Sequence, residues 1–148
     1  MASSEASGIR PEDEVTRLCA ELIRIPSVNA GDNQGPGERA AAEWVMEQLH
    51  EVGLDPVLVE SSPGRASVMV RIEGADPTLP GLVVHGHTDV VPANAADWQV
   101  DPFGAEERDG CIWGRGAVDM KDMDAMILAS VRDPVSYTHL TLPTSDLV

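Results

Sequence analysis

Apolar side chains recur at helical spacing at Val15, Leu18, Cys19, Leu22 and Ile23, a stripe that predicts a helix with one buried face. Pro11 suits its first position, where the missing N–H would go unbonded anyway. Glu12, Asp13 and Glu14 place negative charge at the positive helix end, and Pro26 stops it. Residues 1–10 read as a flexible lead. The segment 27–37 closes with Gly35, Pro36 and Gly37 and reads as a loop. A second helix follows from Glu38 to Val52. Ala41, Ala42, Val45, Met46 and Leu49 form its apolar stripe, Glu43, Glu47 and Glu51 its wet face, and Gly53 its end. His50 lies in the last turn, where positive charge is favoured, and reads as a solvated cap.

From Asp55 the period becomes extended. Val57–Glu60 is a short strand. Ala66, Val68, Val70 and Ile72 then alternate with Arg65, Ser67, Met69, Arg71 and Glu73, which predicts a strand with one wet face. Leu82, Val83 and Val84 form a continuous apolar run of the kind that suits a central strand covered on both faces. A last helix carries Met123, Met126, Ile127 and Val131 at spacing suited to burial. The order of elements predicts an α/β fold, a layered sheet with helices on its faces, with ligands beyond the carboxyl ends of the strands.

Charge narrows the function classes. The chain has 148 residues with 10 basic and 25 acidic side chains, a net charge of −15. Lys121 is its single lysine. So acidic a body lacks the basic footprint that nucleic acid or an anionic membrane requires. No apolar run approaches the ~20 residues of a membrane span. The start MASSEASGIRPEDE shows no secretory signal, so a cytoplasmic location is expected. Cys19 and Cys111 have no metal-ligand spacing and are expected to be reduced packing residues.

The candidate chemistry begins at His85-Gly86-His87-Thr88-Asp89, where the apolar run ends. Residues two apart on extended backbone project to the same side, so His87 and Asp89 lie together. An imidazole whose second nitrogen is held by a carboxylate is a metal ligand in a fixed tautomer. A hydrogen-bonded structural histidine at a strand end is the alternative. A second cluster runs from Gly114 through Arg115, Gly116 and Asp119 to Lys121. Its glycines let backbone approach closely. Asp119 or Asp122 would serve there as a helix cap, or Asp119 as a ligand. Taken together, the clusters supply the start of a site in which two metals ~3.5–4 Å apart share a carboxylate.

The stretch HGHTDVVP, then Trp98 with Asp101, Pro102 and Phe103, then DGCIWGRGAVDMK, resembles the zinc-dependent metallopeptidases and deacylases of family M20, a group of aminoacylases, acetylornithine deacetylases, succinyl-diaminopimelate desuccinylases, glutamate carboxypeptidases and dipeptidases. The resemblance spans roughly Pro11 to Arg132. It implies a catalytic domain of the zinc-exopeptidase kind with two Zn²⁺ per subunit, or Co²⁺ or Mn²⁺ in their place. His87 resembles the first metal's histidine, Asp119 the bridging aspartate, and Asp89 the catalytic acid that orients His87. His85 falls where the family needs no ligand. The Asp119–Met120 peptide would be cis. The implied reaction is metal-assisted hydrolysis of an amide bond in a small peptide or an N-acyl amino acid. The alternative of another class is a non-catalytic α/β module that has lost its metals. Asp122, Met123 and Asp124 stand where many relatives have glycine after the lysine.

Composition switches after Asp133. Val135 to Thr144, VSYTHLTLPT, is what a transposon-end sequencing adapter encodes when translated. Residues 135–148 are therefore expected to be a non-native tail. That sets His139 aside as a ligand and leaves residues 11–134 as a truncated N-terminal part of the catalytic domain. The native frame is expected to continue into a glutamate pair. The general base, the remaining ligands and a smaller domain through which relatives form homodimers would follow. A catalytic zinc takes three protein ligands, so the fragment alone is expected to be inactive.

Overall fold

A computed structural model describes residues 11–31, 34–74 and 76–137. The lead at 1–10 and the tail beyond Tyr137 lie outside the described residues. The elements, in order, are helix α1 (Pro11–Ile23), helix α2 (Arg39–His50), strands β1 (Val57–Ser62) and β2 (Arg65–Met69), a 3-10 turn over Ala95–Asp97, strands β3 (Glu106–Arg108) and β4 (Cys111–Trp113), and helix α3 (Lys121–Tyr137).

The fold is mixed α/β. Leu18, Leu22 and Ile23 of α1 are fully buried and form one core with Leu49 of α2 and with Ala125, Leu128 and Ala129 of α3. The alanines on α3 let its backbone approach α1 closely. The buried face of α3 therefore differs from the expected one. Met123 and Met126 are exposed, Ile127 and Val131 are half-buried, and Lys121, Ala125, Leu128 and Ala129 face inward. Ala125 and Ala129 share that face with the larger Leu128 and Lys121, and Leu128 joins them in the core with α1.

Strands β1 and β2 pair antiparallel, Leu58 opposite Val68 and Glu60 opposite Ala66. Ala66 is buried and Val68 half-buried while Ser67 and Met69 face water, so the alternation holds. The turn between them serves α2. The Gly64 carbonyl accepts from the N–H groups of Glu38 (2.9 Å) and Arg39 (3.2 Å), which caps a helix start whose own side chain does not. Arg65 reinforces the junction with a 2.6 Å ion pair to Glu38. Strands β3 and β4 form a second antiparallel pair about Asp109 (φ 55°) and Gly110 (φ 75°), as a two-residue Asp-Gly hairpin turn demands.

The expected central strand is the main departure. Leu82–Val84 form no strand among the described residues, and Leu82 and Val83 are 89% and 83% exposed. The two small sheets are separate, and neither lends a ladder to this run. The chain is tied six residues further on, by a parallel bridge between Val28 and Val90. Cys19 is buried as expected, with burial pushing its thiol up to about 11, whereas Cys111 is exposed on β4, corrected by its place on a hairpin edge with no covering layer. No helix among the described residues is long and apolar enough to cross a membrane.

Candidate metal centre

The segment after α1 sets the position of His87 and Asp89. Val90 donates its N–H to Ser27 O at 3.0 Å, Asn29 N–H donates to Val90 O at 2.9 Å, and the buried Ser27 hydroxyl donates to Thr88 O. On this tied backbone His87 Nδ1 lies 3.2 Å from Asp89 Oδ1 and 3.2 Å from the Asp89 carbonyl. The pairing of His87 with Asp89 read from the sequence is thus present.

Asp119 arrives from the other side. Strand β4 ends at Trp113, and the Gly114–Gly116 turn brings the chain back across α1 and Val90. A Cβ at Gly114 would stand 2.5 Å from Ile23 Cγ2, and one at Gly116 would meet Val90 Cγ1 at 2.8 Å. Both glycines are there for close approach, as the sequence suggested. Lys121 N–H donates to Gly116 O at 2.9 Å, and its fully buried side chain runs under the turn. The ammonium donates to Leu22 O (2.8 Å), in the last turn of α1, and to Ile25 O (2.7 Å), two residues past its end. Burial pulls its pKa down to about 8. The Asp119–Met120 peptide is cis. Asp119 Oδ1 stands 3.1 Å from His87 Nε2.

His87, Asp89 and Asp119 therefore converge at one mouth. They line a cavity of about 330 Å³ shared with Trp98 and Arg115. The Arg115 guanidinium lies 5.1 Å from the Trp98 ring centre and helps wall the cavity, a contact that sequence spacing did not reveal. His85 is exposed and outside the cavity lining; His50 is exposed at the end of α2. Burial lowers the His87 pKa, but the Asp89 carbonyl and the charges of Asp89 and Asp119 outweigh it, so the net shift is upward. Asp124, on the first turn of α3, puts Oδ1 2.1 Å from where a Cβ on Gly86 would be, and burial pushes its carboxyl up to about 7.

A tetrahedral zinc with bonds of about 2.0–2.2 Å to nitrogen and oxygen holds its donor atoms about 3.3 Å apart. The 3.1 Å between His87 Nε2 and Asp119 Oδ1 fits two ligands of one ion. With Nδ1–H turned to Asp89, two lone-pair donors face each other, an arrangement that needs a proton or a cation between them. The pair is a partial set: among the described residues no group of three or more His, Cys, Asp or Glu side chains is arranged to hold a metal.

Residues 83–136 match the model of Peptidase family M20/M25/M40. The chain belongs to this family. It is 35% identical over 133 residues to Aminoacylase-1 of Sus scrofa, covering 89% of this chain and 31% of that protein. It is 40% identical over 131 residues to a succinyl-diaminopimelate desuccinylase of Cereibacter sphaeroides (86% and 32%). To the enzyme of that name from Methylobacterium radiotolerans it is 38% identical over 122 residues (80% and 29%). The M20 chain thus spans about three-tenths of the length of these relatives.

Proposed function

We propose that this chain supplies the first ligands of a dinuclear metal centre in a hydrolase that cleaves amide or peptide bonds of small substrates. The observation that carries the reading is the convergence of His87 Nε2 and Asp119 Oδ1 at 3.1 Å, with the other face of the imidazole held by Asp89. In this assignment His87 and Asp119 would hold the metal, Asp119 as the ligand shared between two ions, and Asp89, through its carboxylate and its carbonyl, keeps the His87 proton on Nδ1 so that the Nε2 lone pair is free. Zn²⁺, or Co²⁺ or Mn²⁺ in its place, would supply an activated water and polarise the scissile carbonyl. Asp119, whose side chain is 87% exposed, lines with Trp98 and Arg115 the cavity where a substrate would enter. An anionic substrate is compatible with an acidic chain because bound divalent ions dominate the local field.

A peptidase or dipeptidase is the leading reading. N-deacylation or desuccinylation of an amino acid draws support from the names of the relatives, aminoacylase-1 and succinyl-diaminopimelate desuccinylase. The chain spans about three-tenths of the length of its relatives, and the remaining ligands, the general base and a dimerising domain are proposed to lie in the rest of the whole protein, so that the 148-residue chain alone is proposed to be inactive. The protein is proposed to work in the cytoplasm. Expression of the uninterrupted gene and assay against dipeptides and N-acyl amino acids tests it. Zinc-dependent hydrolysis of either class supports the reading; a metal-free protein inert towards both indicates the non-catalytic module.

A further inference from the structure

We infer that Asn29 is a positioning residue of this centre, fixing the carboxylate of Asp89 and through it the ring of His87. The inference rests on the metal reading above.

Asn29 lies 60 positions from Asp89 in sequence. Its amide orientation is set from outside the site. Gly31 N–H, which can only donate, points at Asn29 Oδ1 at 3.1 Å. The other end of the amide is therefore Nδ2, and it donates to Asp89 Oδ2 at 3.2 Å. The second Asp89 oxygen, Oδ1, is the one 3.2 Å from His87 Nδ1. Asn29, Asp89 and His87 thus form one chain of side chains that ends on the nitrogen facing Asp119.

The backbone holds both ends of that chain in register. Asn29 N–H donates to Val90 O, the residue after Asp89, and Val90 N–H donates to Ser27 O. Asn29 cannot drift from Asp89 without breaking this bridge. The same short stretch anchors the other half of the centre, because the Leu22 and Ile25 carbonyls hold Lys121, two residues beyond Asp119. Residues 22–29 are in this way the common mount for His87 and Asp119.

The chemistry follows from what a held carboxylate does. With Oδ2 engaged by the Asn29 amide, Oδ1 points at Nδ1 and the ring keeps its proton there, so the lone pair stays on Nε2. The Asp89 carbonyl, also 3.2 Å from Nδ1, accepts the same proton. Without the amide, the Asp89 carboxylate, 37% exposed, turns to water and leaves that carbonyl alone to hold the proton on Nδ1, so the preference for this tautomer weakens.

Two variants separate this role from support of the loop. Asn29→Asp keeps the acceptor for Gly31 N–H but has no N–H for Asp89, whereas Asn29→Ala removes both contacts. The test uses the metal-free 148-residue chain labelled with ¹⁵N-histidine, at about pH 9, above the histidine range. In the unaltered chain the His87 Nδ1 resonance is expected to be that of a protonated nitrogen and Nε2 that of a bare one. In both variants the two resonances are expected to move toward each other. A His87 spectrum in N29D identical to that of the unaltered chain overturns the inference, whether or not metal binds. Zinc competition against a chromophoric chelator, in the uninterrupted protein, gives the second readout. Both variants are expected to weaken binding by about 10–100-fold, as loss of a partner that orients a ligand does. Unweakened zinc binding in both also overturns the role of Asn29. Failure of the unaltered protein to bind zinc contradicts the metal reading instead, and the tautomer then judges Asn29 alone.

Discussion

Glu14 and Arg132 join α1 to α3 through an ion pair in which the side chains are only 8% and 11% exposed. Arg132 also donates to Gln48 O and pairs with Glu51 at 3.1 Å, so a single guanidinium joins all three helices. Removing it leaves Glu14 buried with Arg17 as its remaining cation. Arg132→Ala is expected to destabilise the chain by about 3 kcal/mol, the low end for breaking a buried pair, read from urea unfolding. Burial raises the Glu14 pKa, but Arg132 and Arg17 outweigh it and leave the folded-state value below the ordinary 4.5. The unfolded chain therefore binds the proton first. The stability from Glu14 is fully present above pH 4.5 and is lost as pH falls below it, an acid-side loss that Glu14→Gln is expected to flatten. None of this was legible in the sequence, where Glu14 read as a helix-end charge and its partner stands 118 positions away. The meeting of His87, Asp89 and Asp119 was anticipated from an HxD triplet, a glycine-rich turn and the family resemblance, all carried by short stretches of sequence. Asn29, bonded to Asp89 across 60 positions, carried no comparable signal.

The elements divide in the same way. Helices α1 and α2 follow their apolar stripes, bounded by Pro26 and Gly53, and β2 keeps its alternation, because each depends on neighbours close in sequence. Leu82–Val84 read as a strand from composition, but a strand exists only where another offers its N–H and C=O groups, and none among the described residues does. Val83→Asp is accordingly expected to change the stability of this chain by less than about 0.5 kcal/mol, whereas Leu22→Ala in the α1–α3 core is expected to cost about 2–5 kcal/mol, both by denaturant titration. Gly37 carries a further expectation. Its φ is +73°, and a Cβ there would stand 2.3 Å from Gly64 O, the carbonyl that caps α2. Gly37→Ala is expected to lower stability by more than 1 kcal/mol, on the order of a lost cap, with reduced amide-exchange protection at Glu38 and Arg39.

At the scale of the molecule, two pieces of chain distant in sequence meet at one mouth, both mounted on the exit of α1. The turn from β4 into α3 delivers Asp119, and the bridge from Ser27–Asn29 to Val90 delivers His87 and Asp89. Sequence pattern gave the order of these pieces but not the mount, since Lys121 reaching the α1 carbonyls depends on the packing of α3 against α1. The proposed hydrolase chemistry at this mouth depends on a divalent cation shared by His87 and Asp119. The most direct test of that dependence is the metal content of the uninterrupted protein, purified with zinc, beside its His87→Ala and Asp119→Ala variants. About two zinc ions per chain, with at least one lost in each variant while the folded structure persists, is the expected result. Undiminished zinc in either variant would contradict the account.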